Sequence, residues 1–532
     1  MHLLLLPLLL SLGAAPAAQN PDIAVVCPAE FRAAMQPWLA RRQLQGHVVE
    51  FISNQGPALQ IREHIRTLAK SGKLQFIVLV GDPPAPDSDP AKKSPCTPTF
   101  RIPATASRLY GAPSEFDTDN PYADLDDDGI PDVAIGRLTA HTPEQLSIVV
   151  KKILAYEDSQ NFGPWRARIN FVAGEGGYGQ LIDAASGVLA RQGIRWLIPG
   201  AYQTILTDAR WRSPYCPDPR GFHACSLDRI NEGCLFWVFM GHGAPQSLQW
   251  AVFPDGGTPI LQCDDCAHLH GASGPPIMLL MCCYTGAFAQ SKDCLSEELL
   301  RAPGGPVAVF SGSSETMPYG MAALSQQAIR QFFVNRRETL GQWLLYAKRD
   351  TMAGYNLPIW SLIHALTVAV TPELFQPKEE RLEHLQLFNL FGDPTMTLHQ
   401  PREVNLSLPA KAAAGDEITI KGRCSVEGTA TVELVLPWDC VPTATRETYD
   451  GSAIGRERFS AAYRAANNPP LVSVTAQIHS GSFSTVLPVP KDAIGTCAVR
   501  VFVEGANDFA LGSGTMKILN TAAALSTETP KR

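Results

Sequence analysis

Two apolar segments of the chain end in residues whose side chains can do covalent chemistry. The segment 235–240 is followed by His242, which lies between two glycines, and the segment 277–281 is followed by Cys282 and Cys283. Continuous apolar runs of this kind are typical of buried parallel strands, whose carboxyl ends meet in one crevice of the sheet. The imidazole and a thiol would then share a cleft as base and nucleophile. A base is needed because a thiol with a pKa of about 8.5 is only slightly ionised at neutral pH.

The strand pattern favours Cys283 over Cys282 as the nucleophile. Successive side chains of a strand point to opposite faces, so the two thiols cannot both face the cleft. Cys283 is nearer the carboxyl end, where His242 is expected, and Cys282 is expected to be an inert buried thiol. The backbone amides of Gly243 and Cys283 are candidates for binding an oxyanion. The alternative interpretation is that His242 caps a loop and both cysteines are small buried hydrophobic residues.

The rest of the chain predicts an α/β fold that carries these two strand ends. At 532 residues the chain is too long for one core, so two or three domains are expected. Apolar runs alternate with helical periodicity, which predicts a parallel sheet covered by helices on both faces. Besides the two runs above, the predicted strands are 23–27, 48–52, 76–80, 133–135, 169–173, 195–198 and 307–311. The predicted helices are 30–44, 61–68, 142–158, 181–192, 322–334 and 339–353.

Changes of composition along the chain predict five segments. Residues 1–18 are predicted to be a secretory signal peptide, because an apolar run too short to span a bilayer ends in small residues. Residues 19–160 and 161–400 are predicted to form two α/β subdomains. Short alternating segments predict a small β-sandwich of immunoglobulin type over 401–520, and the polar residues 521–532 predict a disordered tail.

Three motifs of the second subdomain together resemble a known family. They are the tip 241–243, the turn from Cys283 to Phe288 and the later segment 294–299. In this order they resemble the gingipain-like cysteine peptidases, over about residues 23–400. The resemblance implies a caspase-like parallel sheet in two subdomains and cysteine endopeptidase activity. It also implies that Cys283 is the nucleophile, because the family's nucleophile lies five residues before the phenylalanine that matches Phe288.

Three acidic residues near the predicted cleft have candidate roles in catalysis or recognition. By resemblance, Glu175 matches the carboxylate that orients the catalytic histidine and stabilises its imidazolium form. Its alternative is a solvated loop carboxylate. Glu315 lies in a region that lines the substrate groove of the family, and Asp183 lies in the helix predicted after Glu175. A buried arginine or lysine side chain needs a carboxylate partner, so Glu315 and Asp183 are candidates for recognising a basic residue before the scissile bond.

An acidic loop before the predicted strand 133–135 is a candidate calcium site. Asp124, Asp126 and Asp128 alternate along the chain, and Asp132 stands at the ninth position of the loop. This spacing can wrap oxygen ligands around a hard cation, although the loop lacks the acidic residue that an EF-hand carries at position twelve. The expected cofactor is a structural Ca²⁺. The alternative is an exposed acidic turn whose internal repulsion is weakened by water.

A cluster of cysteines and histidines offers a competing metal hypothesis. Cys263, Cys266, His268 and His270 lie within eight residues, and two cysteines at this spacing form half of a familiar zinc site. Histidines two residues apart point about 200° apart on a helix, however. A closed zinc site normally draws its ligands from two separated pairs, which makes zinc the weaker hypothesis.

The cysteine count bears on the redox state of the chain. The total of 13 is odd, so at least one thiol is unpaired, as a free nucleophile would be. Cys216 with Cys225, and Cys424 with Cys440, are pairs that could form disulfides. The pairing cannot be deduced from one sequence.

The composition excludes some partners and leaves three functional hypotheses. The net charge of −7, without a long basic run, argues against nucleic acid, and no segment is long and apolar enough to span a bilayer. The main hypothesis is a secreted or cell-envelope cysteine endopeptidase that acts on proteins or peptides. The alternatives are a catalytically silent, caspase-like surface or adhesion protein, and a processing peptidase similar to the secretion-linked sortase members of the family. The oligomeric state stays open.

Overall fold

The apolar segments of the chain form the strands of one ten-stranded sheet. The computed structural model describes residues 20–84, 96–175, 197–271, 274–353, 376–437, 445–467 and 469–520. The predicted signal peptide, the predicted helix 181–192 with Asp183, Cys440 and the predicted tail lie outside these ranges. In chain order, the strands up to residue 391 are β1 (Ile23–Val26), β2 (Val49–Ile52), β3 (Phe76–Val80), β4 (Phe100–Pro103), β5 (Glu115–Thr118), β6 (Ala134–Leu138), β7 (Arg168–Ala173), β8 (Gln203–Asp208), β9 (Phe236–Met240), β10 (Gly243–Ala244), β11 (Ser247–Leu248), β12 (Trp250–Phe253), β13 (Gly256–Pro259), β14 (Ile277–Met281), β15 (Ala308–Gly312) and β16 (Phe388–Phe391).

The large sheet is mostly parallel, as predicted. Its order is β2-β1-β3-β6-β16-β15-β14-β9-β7-β8, and the short pairs β4-β5, β10-β11 and β12-β13 lie outside it. The exception to the parallel pattern is β16, which runs antiparallel to β15 and parallel to β6. The central strands are buried along their whole length because helices cover both faces of the sheet.

Eight described helices accompany this sheet. They are α1 (Gln36–Leu44), α2 (Ala58–Ala69), α3 (Pro143–Glu157), α4 (Phe222–Asn231), α5 (Leu295–Arg301), α6 (Pro318–Phe333), α7 (Leu340–Ala353) and α8 (Pro377–Leu387). The predicted start of α3 is confirmed, since the Thr142 side chain accepts a hydrogen bond from the Gln145 amide. The prediction of one helix over 30–44 is wrong. A short 3₁₀ turn at Ala29–Phe31 precedes α1, which begins close to Pro37, and proline is suited to the first turn of a helix rather than its interior.

The predicted strand 195–198 is also wrong over its described residues, 197 and 198. The strand of this region is β8, at the edge of the sheet. Its residues are only partly buried, with Ile205 and Thr207 among the buried ones. An edge strand has only one neighbouring strand, and in β8 polar residues flank the apolar pair Ile205 and Leu206, so no continuous apolar run reveals it.

The two halves of the large sheet join where β6 pairs with β16. Arg137 of β6 is aligned with Phe391 of β16. A Cβ atom at Gly136 would lie 2.4 Å from the carbonyl oxygen of Gly392, so the close approach of the two strands requires a glycine there. The buried Arg137 guanidinium donates to both carboxylate oxygens of Asp119, each at 2.7 Å. The junction therefore combines tight backbone packing with a compensated buried charge.

The chain beyond residue 401 forms two sheets around their own core, which agrees with the predicted β-sandwich, while its immunoglobulin type stays a prediction. Its strands are β17 (Arg402–Glu403), β18 (Asn405–Ser407), β19 (Lys411–Ala413), β20 (Glu417–Arg423), β21 (Gly428–Val435), β22 (Val472–Gln477), β23 (Ser482–Pro488), β24 (Gly495–Gly505) and β25 (Phe509–Leu519). One sheet has the order β17-β25-β24-β21-β22, with β19 also paired to β25, and the other has the order β18-β20-β23. Buried residues of both sheets, such as Ile420 and Val499, share one apolar cluster.

A helix that the sequence did not predict, α9 (Ala453–Ala466), joins the sandwich to the large sheet. The Tyr463 hydroxyl lies 2.8 Å from the Thr207 hydroxyl of the edge strand β8. The Asn467 side chain accepts a hydrogen bond from the Leu206 amide at 2.7 Å and donates one to the Leu206 carbonyl at 3.0 Å. These contacts satisfy backbone groups on the open side of β8, which would otherwise be an unprotected sheet edge.

A charge cluster ties the carboxyl ends of β3 and β6 to the segment before α5. His141 Nδ1 lies 3.0 Å from a carboxylate oxygen of Asp82, and His141 Nε2 lies 2.9 Å from one of Asp293. The Arg301 guanidinium pairs with the same two carboxylates, at 3.1 Å and 2.5 Å. The hydrogen bond to Asp293 and then that to Asp82 raise the pKa of His141 to about 10. The imidazolium and the guanidinium together hold three segments of the chain.

We expect His141→Gln to destabilise the protein in a pH-dependent way. Folding raises the imidazole pKa from 6.5 to about 10, so its contribution to stability is fully present below pH 6.5 and is lost as the pH rises through 10. The difference in the free energy of unfolding between the wild type and the variant should therefore shrink over this range. Urea denaturation at several pH values measures it. His64→Gln, at an exposed position of α2, is the matched control, and a difference that grows with pH would contradict the prediction.

Candidate active site

The predicted catalytic residues follow three neighbouring strands that end in register. The last residues of β7, β9 and β14 are aligned in one row of the sheet: Ala173, Met240 and Met281. Glu175, His242 and Cys283 each stand two residues beyond this row. Since the three strands are parallel and adjacent strands lie about 4.8 Å apart, the chain leaves the sheet at the same edge in all three places. The order across the edge is Glu175, His242, Cys283.

The loop after β9 is in contact with the turn after β14. A Cβ atom at Gly243 would lie 2.5 Å from the carbonyl oxygen of Cys283 and 2.8 Å from Sγ of Cys282. Any larger residue would push the two segments apart, so glycine at this position allows the His242 loop to approach the cysteines. Gly243 and Cys283, the predicted oxyanion donors, are therefore neighbours. The side chain of His242 is exposed beside them.

The Cys283 thiol is half-buried and is held by Thr316, in the loop that follows β15. Its Sγ accepts a hydrogen bond from the Thr316 amide at 3.3 Å and lies 3.4 Å from the Thr316 hydroxyl. Burial raises the pKa of this thiol, the Thr316 hydrogen bonds lower it, and the charge of Glu315 raises it further. The net shift is upward, so the thiol needs a nearby cation to become a thiolate at neutral pH.

Cys282 occupies a different environment. It is fully buried, and its sulfur lies 3.4 Å from the Thr285 hydroxyl. Burial raises the pKa of the Cys282 thiol to about 12. A neutral thiol without access to solvent is a poor nucleophile, which agrees with the prediction that this side chain is inert.

The chain turns sharply directly after Cys283. Tyr284 has a φ of 61°, a left-handed conformation that is unusual for an aromatic residue, and its amide donates to the Ser314 carbonyl at 3.1 Å. Burial raises the pKa of the Tyr284 phenol, as do the charge of Glu315 and a hydrogen bond to it. The half-buried Glu315 carboxylate thus lies beside the turn that carries Cys283. Asp183, the other predicted recognition residue, lies outside the described residues.

Two residues of the site were not singled out from the sequence. One is Thr316, and the other is Gln249, whose side chain donates to the Glu175 carbonyl at 3.4 Å and accepts from the His242 amide at 2.7 Å. Both lie in loops and act through contacts between segments far apart in the chain, which periodicity cannot reveal. The sequence offered only an indirect signal for a side chain between the two loops: Gly174 precedes Glu175, and Gly241 precedes His242.

Three of the four predicted calcium ligands come together. Carboxylate oxygens of Asp124, Asp126 and Asp128 lie within 4.8 Å of one another, while Asp132 is not part of this group. Asp132 instead accepts a hydrogen bond from the Leu125 amide at 2.8 Å, which closes the loop. Burial raises the pKa of Asp124, so a cation there would relieve the cost of its negative charge.

The cysteine and histidine cluster does not form a metal centre within the described part of the chain. There, the groups of side chains close enough to share an ion are the three aspartates of the acidic loop above and the Asp82, His141 and Asp293 cluster. Cys263 and Cys266 lie on the 3₁₀ helix Cys263–His268 as free thiols. Cys216 and Cys225, a pair that could have formed a disulfide, are both free thiols. Cys424 is also a free thiol, and its candidate partner Cys440 lies outside the described residues.

Comparison with known proteins gives a consistent result. The sequence matches the model of peptidase family C25 over residues 16–399. It is 22% identical over 307 residues to Lys-gingipain of Porphyromonas gingivalis, a match that spans 56% of this chain but 16% of that relative. The fold is similar to that of the Arg-specific cysteine proteinase gingipain R, with a TM-score of 0.53, 16% identity, and coverage of 94% of this chain and 98% of that one. The complex of the pro- and mature domains of RgpB from Porphyromonas gingivalis gives a TM-score of 0.52 at 15% identity, covering 93% of this chain and 100% of that one.

The structural likeness, at these low identities, concerns the fold. It agrees with the mostly parallel sheet and the separate β-sheet region of the carboxyl-terminal part. The family model covers well over half of the chain, including all three strand ends of the candidate site. The resemblance seen in the sequence motifs is thereby confirmed, and the chain belongs to peptidase family C25.

Proposed function

We propose that the protein is a cysteine endopeptidase in which Cys283 is the nucleophile, His242 the general base and acid, and Glu175 the carboxylate that orients the histidine. The observation that carries the proposal is the common row from which the three residues leave β7, β9 and β14. Membership of a peptidase family supports the same reaction. The chain spans 16% of the curated relatives it matches, so substrates and partners of the whole relatives are carried over only as hypotheses.

The arrangement can perform acyl transfer in two halves. His242 takes the proton of the Cys283 thiol, and the thiolate attacks the scissile carbonyl to form a tetrahedral oxyanion. The amides of Gly243 and Cys283 are the proposed donors to that oxyanion. The imidazolium of His242 then protonates the leaving amine, and an acyl-enzyme remains on Cys283. Water, deprotonated by His242, releases the acid and restores the thiol.

The surroundings of the thiol explain why a dyad is needed. Burial and the Glu315 charge oppose ionisation of Cys283, and the Thr316 amide favours it. An imidazolium beside the sulfur supplies the missing positive charge, and the Thr316 amide would then hold the thiolate in place. Hydrogen bonds between nucleophile and base often tighten only in the substrate complex, so the imidazole of His242 is expected to approach the thiol on binding while Thr316 keeps its contact with the sulfur.

Replacement of the two adjacent cysteines separates their roles. Cys283→Ala should lower kcat/KM for peptide cleavage by about a thousandfold or more, because it removes the attacking atom. Cys282→Ala should retain most of the turnover and lose mainly stability, because it deletes a buried sulfur. Turnover of a mixed peptide library and labelling by iodoacetamide measure both effects. Full turnover and labelling in the Cys283 variant would overturn the assignment.

The same comparison tests the other hypotheses for this fold. A wild-type protein that cleaves no peptide in the library, although Cys283 is labelled, would favour the silent surface or adhesion protein. Cleavage confined to a single exported protein would favour the processing peptidase. Export itself is proposed from the predicted signal peptide, and no described helix is long and apolar enough to cross a membrane.

We further propose that the substrate residue before the scissile bond is basic. Glu315 is half-buried, and its charge acts on both Cys283 and Tyr284, so the carboxylate lies beside the reacting centre. A carboxylate in that position can pair with an arginine or lysine side chain of the substrate. The names of Lys-gingipain and the Arg-specific gingipain R agree with this preference.

Neutralising the carboxylate should change the preference without abolishing the chemistry. Glu315→Gln should lower kcat/KM for substrates with arginine or lysine by about 10- to 100-fold, the loss of one charge-assisted hydrogen bond. Substrates with a neutral residue at that position should be cleaved at least as well as before, because the charge that raises the pKa of Cys283 is removed. The matched control is Glu379→Gln, at an exposed position of α8. An unchanged ratio of basic to neutral substrates would exclude Glu315 as the determinant.

The acidic loop is proposed to hold a structural Ca²⁺ through Asp124, Asp126 and Asp128. Their oxygens already converge, and oxygen ligands are those that Ca²⁺ prefers. Adding calcium to chelated protein should raise the Tm by several degrees, because an ion that binds only the folded state stabilises it. Asp126→Asn should reduce the increase, whereas Asp264→Asn, at an exposed position elsewhere, should not. A Tm that calcium leaves unchanged would rule out the site.

A further inference from the structure

A single side-chain amide joins the backbones of the loops that carry His242 and Glu175. Gln249 lies between β11 and β12, and its Oε1 accepts a hydrogen bond from the His242 amide at 2.7 Å. Its Nε2 donates to the Glu175 carbonyl at 3.4 Å. The backbone amide of Gln249 also donates to the His242 carbonyl at 3.1 Å. Both backbone polar groups of His242 are thus bound to one residue.

The glycines before Glu175 and His242 leave room for this side chain. A Cβ atom at Gly174 would lie 2.3 Å from Oε1, 2.5 Å from Cδ and 3.0 Å from Nε2 of Gln249. A Cβ atom at Gly241 would lie 2.6 Å from the same Oε1 and 3.1 Å from Cα of Gly174. Real Cβ atoms essentially never approach another heavy atom to less than 3.0 Å, as they would here at Oε1 of Gln249, so the two strand ends must have glycines if the amide is to lie between them.

We propose that Gln249 is a positioning residue, which sets the distance between the loop of His242 and the loop of Glu175. Only a side chain with both an acceptor and a donor can satisfy the His242 amide and the Glu175 carbonyl together, and a neutral amide has both. Catalysis by a dyad depends on geometry at the level of about 1 Å. The inference rests on the roles proposed above for His242, Glu175 and Cys283.

The backbone of Gln249 is itself held firmly. Its carbonyl accepts a hydrogen bond from the Ile260 amide at 3.2 Å, and the hairpin β12-β13 follows directly. At the turn of that hairpin, Asp255 accepts a hydrogen bond from the Tyr449 hydroxyl at 2.6 Å and pairs with Arg220. The hairpin is therefore anchored at its far end by the carboxyl-terminal part of the chain. The backbone of Gln249 is therefore held from two sides, by the hairpin β12-β13 and by its own hydrogen bond to the His242 carbonyl.

Loss of the amide should impair turnover more than binding. Gln249→Leu has a similar size and no hydrogen-bonding group, and we expect it to lower kcat by about 10- to 100-fold with KM changed less than about threefold. Gln249→Glu keeps the acceptor for the His242 amide and loses the donor to Glu175, so its kcat should also fall. The rate of Cys283 alkylation at neutral pH should fall in both variants, and its pH profile should move upward, because the imidazolium is no longer held beside the thiol.

A double-variant cycle tests whether Gly174 serves Gln249. The three atoms nearest to a Cβ at Gly174 all belong to Gln249. Gly174→Ala should therefore lower kcat by displacing the Gln249 side chain, and the double variant with Gln249→Ala should resemble Gln249→Ala alone. If the two kcat losses multiply, the substitutions act independently, and the proposed link is wrong.

A control in the same loop separates positioning from general damage. Gln246→Leu removes an exposed side chain that donates to the Asp293 carbonyl at 3.4 Å, and it should leave kcat and the alkylation profile unchanged. A Gln249→Leu protein whose kcat and alkylation profile stay within twofold of the wild type would overturn the inference. If Cys283→Ala is inactive in the same assay, the proposed function survives that result. If Cys283→Ala is active, the proposed function fails first.

Discussion

The shared row in which β7, β9 and β14 end is the constraint on which the candidate site depends. Hydrogen bonding between parallel strands fixes the register, so a slip of one residue in any strand would turn its tip to the other face of the sheet. The segments that begin beyond the row can then differ in sequence and still start side by side. Gly243 allows the His242 loop to approach the turn that carries Cys283. Thr316, in the loop that follows β15, holds the Cys283 thiol with a hydrogen bond from its amide.

Buried charge pairs stabilise the junction between the two halves of the sheet that carries this row. At the sheet junction the guanidinium of Arg137 is paired with Asp119, and that of Arg42 is paired with Glu157 and Asp393. Removing one partner of such a pair costs about 3–5 kcal/mol, because the other charge stays buried without compensation. The Arg42–Asp393 pair joins helix α1 of the first half to the segment that follows β16, so the two halves of the sheet cannot shift against each other without breaking it. These residues support the site and take no part in its chemistry.

What the sequence could predict follows from how local each signal is. His242 and Cys283 follow continuous apolar runs, and buried parallel strands have that pattern, so their common edge was predictable, while their catalytic roles stay predictions. Thr316 and Gln249 were missed because they act across loops whose folding depends on the whole sheet. The strand β8 and the helix α9 were missed for a related reason. The two elements are hydrogen-bonded to each other at the edge of the sheet, and neither has a strong hydrophobic pattern alone. The prediction of one helix over 30–44 failed because Pro37 suits the first turn of a helix, so α1 begins there and the residues before it form a separate 3₁₀ turn.

The proposed recognition of a basic side chain is physically linked to the reactivity of the thiol. The negative charge of Glu315 is one of the influences that raise the pKa of Cys283. A substrate arginine or lysine that pairs with Glu315 would cancel that influence at the moment the scissile carbonyl arrives. Thiolate formation would then be favoured in the complex and disfavoured in the free protein. The Glu315 carboxylate is unfavourable for the Cys283 thiol on its own, because it opposes ionisation. It can nevertheless give selectivity for basic substrates, because the contact that binds the arginine or lysine also removes this opposition to thiolate formation.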